Sequence, residues 1–369
     1  MKTRASGDGT CKRHKWSRDS SWTTVSRVWS PCKVCDEMRI VDAFCGTGGF
    51  SAGAVMAECE VVVGIDSSET PLKFWKTNNP TGRSVCVTIG GTEDGVWPET
   101  ADDLHVHFSP ACTNLSQARV GTASNQSVQD ALEMVRWCLR LVIQKGYTSF
   151  SLENVATPVV RAAVDELVQE HPDRFASIVL DASDYGVASN RVRLIVATPT
   201  IVQRLKEMPI ERVSIQEAFR RAGVELPARY IKSNTSNRDG TPCVRSVQQQ
   251  SFCVIASHPH VWCERDGKTI RCLKASECAV LMGFPTTWQI PKGSRKGIRA
   301  VGNAVPPPLA KAVMRAAMNH DQTPNPIIHY NHNNDQDNTE VVNEFKKLKR
   351  KMRKLARRMR LLENRVSLQ

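Results

Sequence analysis

The chain has 369 residues, 41% of them hydrophobic, and a formal net charge of +13 at pH 7. This length suffices for one large domain and a smaller one, and the apolar runs are too short to cross a membrane. No apolar stretch follows the basic N-terminus, so we expect no secretory signal. The 13 cysteines are irregularly spaced, which predicts a reducing, intracellular compartment: the nucleus for a eukaryote or a virus of eukaryotes, otherwise the cytoplasm.

The positive charge is concentrated at the two ends of the chain. Residues 1–39 carry +5 and residues 344–369 carry +9, which leaves −1 for the residues between them. Net charge alone is therefore a poor argument for nucleic-acid binding. Within the body, residues 204–246 hold nine basic and five acidic side chains.

Residues 1–37 form a basic arm that contains two pairs of metal-ligand type. Cys11 with His14, and Cys32 with Cys35, have a spacing compatible with zinc. Such pairs often arise by chance in a cysteine-rich chain. We therefore expect no metal and a basic arm with free thiols, and zinc is the alternative.

Short β-branched runs recur from residue 39 to residue 197, and helical patterns separate many of them. The clearest helical pattern covers residues 126–145, with Gly146 as its stop. This alternation predicts an α/β fold with a mostly parallel sheet and helices on both faces. The predicted strands are 39–44, 61–65, 85–88, 104–108, 148–152, 177–180 and 192–197.

A glycine-rich turn follows the first predicted strand at residues 44–50, Phe-Cys-Gly-Thr-Gly-Gly-Phe. Glycines at such a turn let the backbone approach a ligand, and the following helix offers free N–H groups. Asp66 ends the next strand, where an acid can accept hydrogen bonds from ribose hydroxyls. Ser51 stands where a dinucleotide fingerprint has its third glycine, so the turn indicates a nucleoside cofactor more than NAD.

Three later strand ends carry reactive or charged groups. Cys112 lies on the loop that leaves the strand at 104–108 and is a candidate nucleophile. Glu153 ends the following strand, where a carboxyl held protonated could donate to a ring nitrogen. Arg191 and Arg193 alternate at the start of a further strand and share one face. Each of these also has an ordinary interpretation, as a loop thiol, a helix cap or solvated arginines.

The alternation fails after residue 198. Residues 199–265 are polar and basic, with helical periodicity only near 214–222, which predicts a small second domain. Helical patterns return at 274–282 and 307–318. Residues 266–318 are therefore expected to rejoin the first domain, which begins at residue 38.

The last 51 residues divide into two segments. Residues 319–340 are rich in Asn, Asp, His and Pro and predict a flexible linker. Residues 341–369 carry apolar residues in an unbroken heptad from Val341 to Val366, flanked almost entirely by Lys and Arg. A coiled coil would bring like charges together. An acidic partner helix or DNA phosphates are alternatives, as is a solvated helix.

Six segments within residues 38–318, taken in order, resemble the DNA cytosine-5 methyltransferase family. They are the glycine turn, Pro110-Ala111-Cys112 with Ser116, Glu153-Asn154-Val155, Arg191 with Arg193, residues 271–285, and Gly302-Asn303-Ala304-Val305-Pro306-Pro307. The chain departs from the family pattern at two positions. Ala111 replaces a proline that stiffens the nucleophile loop, and Ser189 replaces a glutamine.

The resemblance implies a Rossmann-like methyltransferase fold with a target-recognition domain at 199–265. It implies methyl transfer from S-adenosyl-L-methionine to carbon 5 of cytosine in double-stranded DNA. Cys112 would attack carbon 6, Glu153 would bind N3, and Arg193, with Arg191, would hold the base or the surroundings of the nucleophile. The cofactor would be held by Phe44, Gly46, Gly48, Gly49, Asp66 and Asn303.

The implied reaction requires the target base to leave the duplex stack. The small domain would then contact DNA through its arginines, for which a solvated surface is the alternative: Arg220, Arg221, Arg229, Arg238 and Arg245. Two other functions remain open. One is the same chemistry on RNA such as tRNA, and the other is DNA binding by a catalytically weak homologue.

Overall fold

The computed structural model describes residues 38–90, 95–115, 124–237 and 239–318. Several sequence predictions lie outside these ranges. They are the zinc candidates, the linker, the heptad segment and two single residues: Cys11, His14, Cys32, Cys35, 319–340, 341–369, Ser116 and Arg238.

Within the described residues, seven strands form one sheet in the order β3-β2-β1-β4-β5-β7-β6. Only β7 runs against the other six, so the sheet is mostly parallel, as predicted. The strands are β1 Arg39–Ala43, β2 Glu60–Asp66, β3 Arg83–Cys86, β4 Leu104–Phe108, β5 Phe150–Asn154, β6 Ala176–Asp181 and β7 Val192–Ala197. Each overlaps a predicted run, and β3 and β5 are displaced from theirs by two residues.

Helices cover both faces of this sheet. Helices α3 and α4 bury one apolar side, and α1, α5 and α9 bury the other. The predicted helix at 126–145 is α3, which Ser124 caps and Gly146 ends with a φ of 67°. The bounds are α1 Gly49–Met56, α2 Glu69–Asn78, α3 Asn125–Lys145, α4 Pro158–Glu170, α5 Pro199–Glu207 and α9 Pro307–Ala317. No helix in the described part of the chain is long and apolar enough to span a bilayer.

The centre of the sheet carries a buried polar cluster on β4 and β5. The rings of His105 and His107 are fully buried and share the hydroxyl of Ser151, at 2.9 and 2.8 Å. Phe50 of α1 stacks on His107 with 3.5 Å between ring centroids. Burial lowers the pKa of His105 to about 3 and that of His107 well below its ordinary value. Both rings are therefore neutral core residues at physiological pH.

A smaller antiparallel sheet follows, in the order β11-β10-β8-β9. Its buried side packs with three short helices around Phe219 and Trp262. The elements are β8 Tyr230–Ser236, β9 Pro242–Ser246, β10 Val261–Cys263, β11 Thr269–Cys272, α6 Ile215–Arg221, α7 Ala275–Leu281 and α8 Ser294–Asn303.

The packing of helix α5 differs from the predicted boundary between the two domains. It lies inside the segment 199–265 that the sequence assigns to the small domain. Its Ile201, Val202 and Leu205 are nevertheless buried in the same apolar cluster as α9 and the large sheet. By packing, the first nine residues of that segment belong to the large sheet, because they present an apolar face to it.

Helices α1 and α9 touch through a glycine. A Cβ on Gly53 would overlap the backbone oxygen of Pro307 and lie 2.5 Å from the Cβ of Ala310. No real Cβ approaches other atoms so closely, so this glycine permits the contact between the two helices. The glycine turn stands directly before α1, and its position therefore depends on this contact.

Gly53→Ala should destabilise the protein by about 1–3 kcal/mol, because the extra methyl group forces the two helices apart. Urea unfolding followed by circular dichroism measures the change. Val55→Ala is the matched control, since Val55 lies on the same helix with 49% of its surface exposed. Equal stability of Gly53→Ala and the unmodified protein would contradict the close helix contact.

Candidate active site

The glycine turn between β1 and α1 is built from left-handed backbone. Phe44 has a φ of 58°, Gly46 of 53° and Gly48 of 90°. The N–H of Gly48 donates to the carbonyl of Cys45 at 2.8 Å, which closes the turn. A Cβ placed on Gly46 would meet nothing within 4 Å, so this position faces open space. The turn therefore leaves room for a ligand at Gly46.

Asp66 lies at the end of β2, beside the turn. Its Oδ2 accepts from the N–H of Gly46 at 2.9 Å, and its Oδ1 accepts from the N–H of Ser68 at 2.8 Å. The side chain is half-buried, and each carboxylate oxygen keeps a lone pair after these bonds. The acid predicted to face ribose hydroxyls thus also fixes the turn.

Gly48 and Gly49 are closely surrounded by protein atoms. A Cβ on Gly48 would lie 2.9 Å from Trp288, whose indole N–H donates to the carbonyl of Thr47 at 3.0 Å. A Cβ on Gly49 would overlap the backbone oxygen of Val305. These two glycines allow close packing by residues more than 200 positions away. Of the three glycines predicted to hold a cofactor, only Gly46 has free space at its Cα.

Asp42 is fully buried beneath the turn, in the middle of β1. Its Oδ2 accepts from the N–H and the hydroxyl of Ser51, at 3.1 and 2.5 Å, and Oδ1 has no hydrogen-bond partner in the described structure. Burial raises the pKa of Asp42 to about 7, although the bonds from Ser51 oppose the rise. The raised pKa of Asp42 depends on burial, which is not visible in the sequence.

Cys112 is half-buried on the loop that leaves β4. Burial raises the pKa of its thiol, the negative charge of Glu153 raises it further, and Arg193 and Arg191 oppose the rise. The thiol therefore lies within electrostatic reach of all three charged residues that the sequence grouped with it. Ala111, the departure from the family pattern, is exposed.

Glu153 and Arg193 form a buried ion pair on β5 and β7. The Nε of Arg193 lies 2.8 Å from Oε1 of Glu153, and both side chains are 10% exposed. The contact lacks hydrogen-bond alignment, because Oε1 has no hydrogen-bond partner in the described residues. The buried carboxyl of Glu153 is thus held in place by a neighbouring cation.

Asn154 connects this carboxyl to the nucleophile loop. Its side-chain N–H donates to the carbonyl of Pro110 at 3.1 Å, and its Oδ1 accepts from the N–H of Val155 at 2.8 Å. The amide therefore holds the loop two residues before Cys112. The sequence motif contains Asn154 beside Glu153 but predicts no role for it. A contact between the end of β5 and the loop after β4 is not visible in the sequence.

Arg191 is 4% exposed and binds backbone from two distant segments. One terminal nitrogen donates to the carbonyl of Val254 at 3.0 Å, and the other donates to Gly302 and Ala304 at 3.0 and 3.1 Å. These bonds occupy both terminal nitrogens. The geometry indicates that Arg191 positions other parts of the site.

The other predicted positions are placed as follows. Asn303 is exposed at the end of α8, next to the carbonyls that Arg191 binds. Ser189 is fully buried, and its hydroxyl lies 3.8 Å from the sulfur of Met282. Phe44 is half-buried and packs against the core on the α3 side of the sheet.

Most of the arginines predicted to contact DNA already have protein partners. Arg220 and Arg221 bind Glu217 at 2.7 Å, and Arg221 also binds Glu211. Arg245 donates to the side chain of Asn190 at 2.6 Å and lies 4.3 Å from the ring centre of Phe252. Arg229 is exposed.

Known proteins share this architecture. The family model described as C-5 cytosine-specific DNA methylase matches residues 38–217 and 200–319. The type II methyltransferase M.NlaX of Neisseria lactamica is 23% identical over 319 residues, covering 76% of this chain and 97% of that protein.

Two solved structures share the fold. An E. coli protein described as a DNA modification methyltransferase encoded within a prophage has a TM-score of 0.53 at 15% identity. The methyltransferase EhMeth of Entamoeba histolytica has a TM-score of 0.50 at 14% identity. Each comparison covers 76% of this chain and 98% of the other.

The sheet order and its helices thus define a Rossmann-like methyltransferase. Because the family model matches more than half of its length, the chain belongs to the C-5 cytosine-specific DNA methylase family. It is accordingly a cytosine-5 methyltransferase, and the family is one of S-adenosylmethionine-dependent enzymes.

Asp42→Asn should become more stable than the unmodified protein as the pH rises from 4 to 7. The pKa of Asp42 is raised in the folded state, so its ionisation favours unfolding between the ordinary value of 3.8 and about 7. The difference in unfolding free energy should grow by up to about 1.4 kcal/mol per pH unit and then level off. Thermal unfolding at pH 5, 6, 7 and 8 measures it.

Ser51→Ala provides the comparison for this experiment. Its hydroxyl lowers the pKa of Asp42, so its removal should move the pH at which the difference levels off to higher values. A stability difference that stays constant from pH 5 to pH 8 would contradict a buried, titrating carboxyl at position 42.

Proposed function

We propose that this protein transfers a methyl group from S-adenosyl-L-methionine to carbon 5 of cytosine in double-stranded DNA, through a covalent bond between Cys112 and carbon 6. One observation carries the proposal. A half-buried thiol and a buried carboxyl oxygen without a hydrogen-bond partner occupy the same edge of the sheet as the glycine turn. Family membership supports the same chemistry.

The residues around the glycine turn fit a nucleoside cofactor. Gly46 borders open space, and Gly48, the N-cap of α1, has no side chain to bind the N–H groups of the first turn, of which Asp42 binds that of Ser51. Asp66 would bind the ribose hydroxyls with its remaining lone pairs, and Phe44 would border the site. Asn303 would close it from the end of α8. When bound, S-adenosylmethionine supplies an electrophilic methyl group.

Cys112 would act as the nucleophile. Position 5 of cytosine is a poor nucleophile until a thiolate adds to carbon 6, which forms an S–C6 bond and places electron density on carbon 5. After carbon 5 is methylated, loss of its proton to a base and cleavage of the S–C6 bond restore the ring. The raised pKa of Cys112 means that the free enzyme holds the thiol mostly protonated, which limits unproductive reactions.

Glu153 would bind the ring at N3. Addition at carbon 6 increases negative charge on the ring, so a proton donor at N3 stabilises the adduct. The carboxyl of Glu153, when protonated, could serve this purpose, and Arg193 fixes its position through the contact of 2.8 Å at Oε1. Asn154 would keep the nucleophile loop in register through the carbonyl of Pro110.

The target cytosine must leave the duplex to reach Cys112, at a cost of a few kcal/mol. The extruded base would bind beside Cys112 and Glu153. Methylation of tRNA by the same residues is the alternative. The family description and the name of the prophage protein favour DNA.

The purified protein should transfer labelled methyl from S-adenosylmethionine to duplex DNA, and Cys112→Ser should reduce the rate by about 10³-fold or more. Filter binding of labelled DNA measures the transfer. Cys272→Ser is the control, because Cys272 is an exposed thiol on the small sheet. Label in tRNA and none in DNA would refute the substrate proposal.

Duplex DNA that carries 5-fluorocytosine should form an adduct with the protein that survives denaturant, because fluorine on carbon 5 blocks the elimination step. Denaturing electrophoresis detects the adduct. Its rate should rise between pH 7 and pH 9, since the raised pKa of Cys112 leaves little thiolate at neutral pH. Glu153→Gln should slow it by about 10²-fold. Active protein that forms no adduct would contradict the covalent route.

A further inference from the structure

Helix α8 carries a stripe of exposed positive charge. Arg295, Lys296 and Arg299 are exposed on one side of α8, and the exposed Lys292 stands two residues before the helix begins. The opposite side is buried through Gly297, Ile298 and Val301. We call these four residues the α8 stripe: Lys292, Arg295, Lys296 and Arg299.

The α8 stripe lacks carboxylate partners. Within the described ranges, none of its four side chains lies in an ion pair. The arginines of α6 and its surroundings differ in this respect, because Arg212, Arg220 and Arg221 bind Asp184, Glu217 and Glu211. The α8 stripe therefore carries charge that is free to bind a polyanion.

The buried side of α8 fixes where the stripe points. A Cβ on Gly297 would lie 2.6 Å from Ala275 of α7, and one on Gly302 would lie 2.5 Å from the backbone nitrogen of Ala256. The helix is thus held rigidly against the small-sheet side of the molecule. A stripe on a fixed helix loses little entropy when it binds a ligand.

The end of α8 lies near the residues that we propose to be catalytic. Asn303 continues its exposed side at the end of α8, and the carbonyls of Gly302 and Ala304 accept hydrogen bonds from Arg191. Arg193, two residues further along β7, forms the ion pair with Glu153. The positive stripe and the buried carboxyl are therefore connected through one short segment of chain.

We propose that the α8 stripe binds the phosphate backbone of the DNA beside the extruded cytosine. This inference rests on the proposed function. From Arg295 to Arg299 the stripe extends about 6 Å along the helix, a length comparable to about two successive phosphates of one strand, and Lys292 adds a charge before the first turn. Lysine and arginine contacts of this kind position the duplex and carry no sequence information. They would hold the backbone while the base enters the site.

The experiment replaces all four residues of the stripe by glutamine and measures the affinity of the full chain for a fluorescent duplex at several salt concentrations. The variant is Lys292→Gln, Arg295→Gln, Lys296→Gln and Arg299→Gln. A plot of log affinity against log salt has a negative slope, and each lost phosphate contact reduces its magnitude by about 0.9. We therefore expect the magnitude of the slope to fall by about 2–4. Affinity at moderate salt should fall at least about tenfold.

A second variant removes the same amount of charge near α6: Lys206→Gln, Arg212→Gln, Arg220→Gln and Arg221→Gln. Three of these side chains already bind carboxylates, so its salt slope should stay within about 0.5 of the unmodified protein. Thermal unfolding of both variants shows whether either is misfolded. Single replacements of Arg295 and Arg299, each expected to change the slope by about 0.9, keep the test decisive if the fourfold variant unfolds.

The outcomes separate this inference from the proposed function. A normal affinity and slope in the α8 variant, with unmodified protein that methylates DNA, would overturn the inference alone. A loss of affinity in the α6 variant only would assign the backbone contact to the small domain. Unmodified protein that neither binds nor methylates duplex DNA would overturn both proposals.

Discussion

One buried cation, the guanidinium of Arg191, connects three parts of the chain that are far apart in sequence. It leaves the start of β7 and binds the carbonyls of Val254, Gly302 and Ala304. A buried charge needs such partners because its transfer from water is costly, and here backbone carbonyls supply them. The small-sheet segment and the end of α8 are thereby held beside Glu153 and Cys112. The architecture of this edge of the sheet depends on this contact.

The same edge contains polar groups that a purely structural core would avoid. Oε1 of Glu153 and Oδ1 of Asp42 are buried without hydrogen-bond partners in the described structure, and Arg193 is close to Glu153 without aligned geometry. Burying a carboxyl in this way opposes folding, and the surrounding sheet must offset it. In the proposed reaction the carboxyl of Glu153 is the useful one, because it lies near Cys112 in a rigid site.

The position of the glycine turn also depends on close contact between helices. The glycine turn lies between β1 and α1, and α1 is held by α9 through Gly53 and by the segment before α9 through Gly49. Trp288 covers Gly48 and binds the carbonyl of Thr47. The family resemblance gave all three turn glycines a ligand-binding role, and the structure gives two of them a packing role as well. Only Gly46 borders free space, which makes it the position at which the backbone can meet a cofactor.

The sequence by itself determined the seven strands, helices α3, α6, α7 and α9, and the order of the reacting groups, because periodicity and turn residues act over a few neighbouring positions. It also predicted Cys112 and Glu153 as candidate reacting groups from their places at strand ends. Only the tertiary structure decided that α5 packs with the large sheet, that Asn154 holds Pro110, and that Arg220 and Arg221 are paired while the α8 stripe is free. These features join residues on separate elements or depend on side-chain exposure. Local sequence does not determine which surfaces come together in the folded protein.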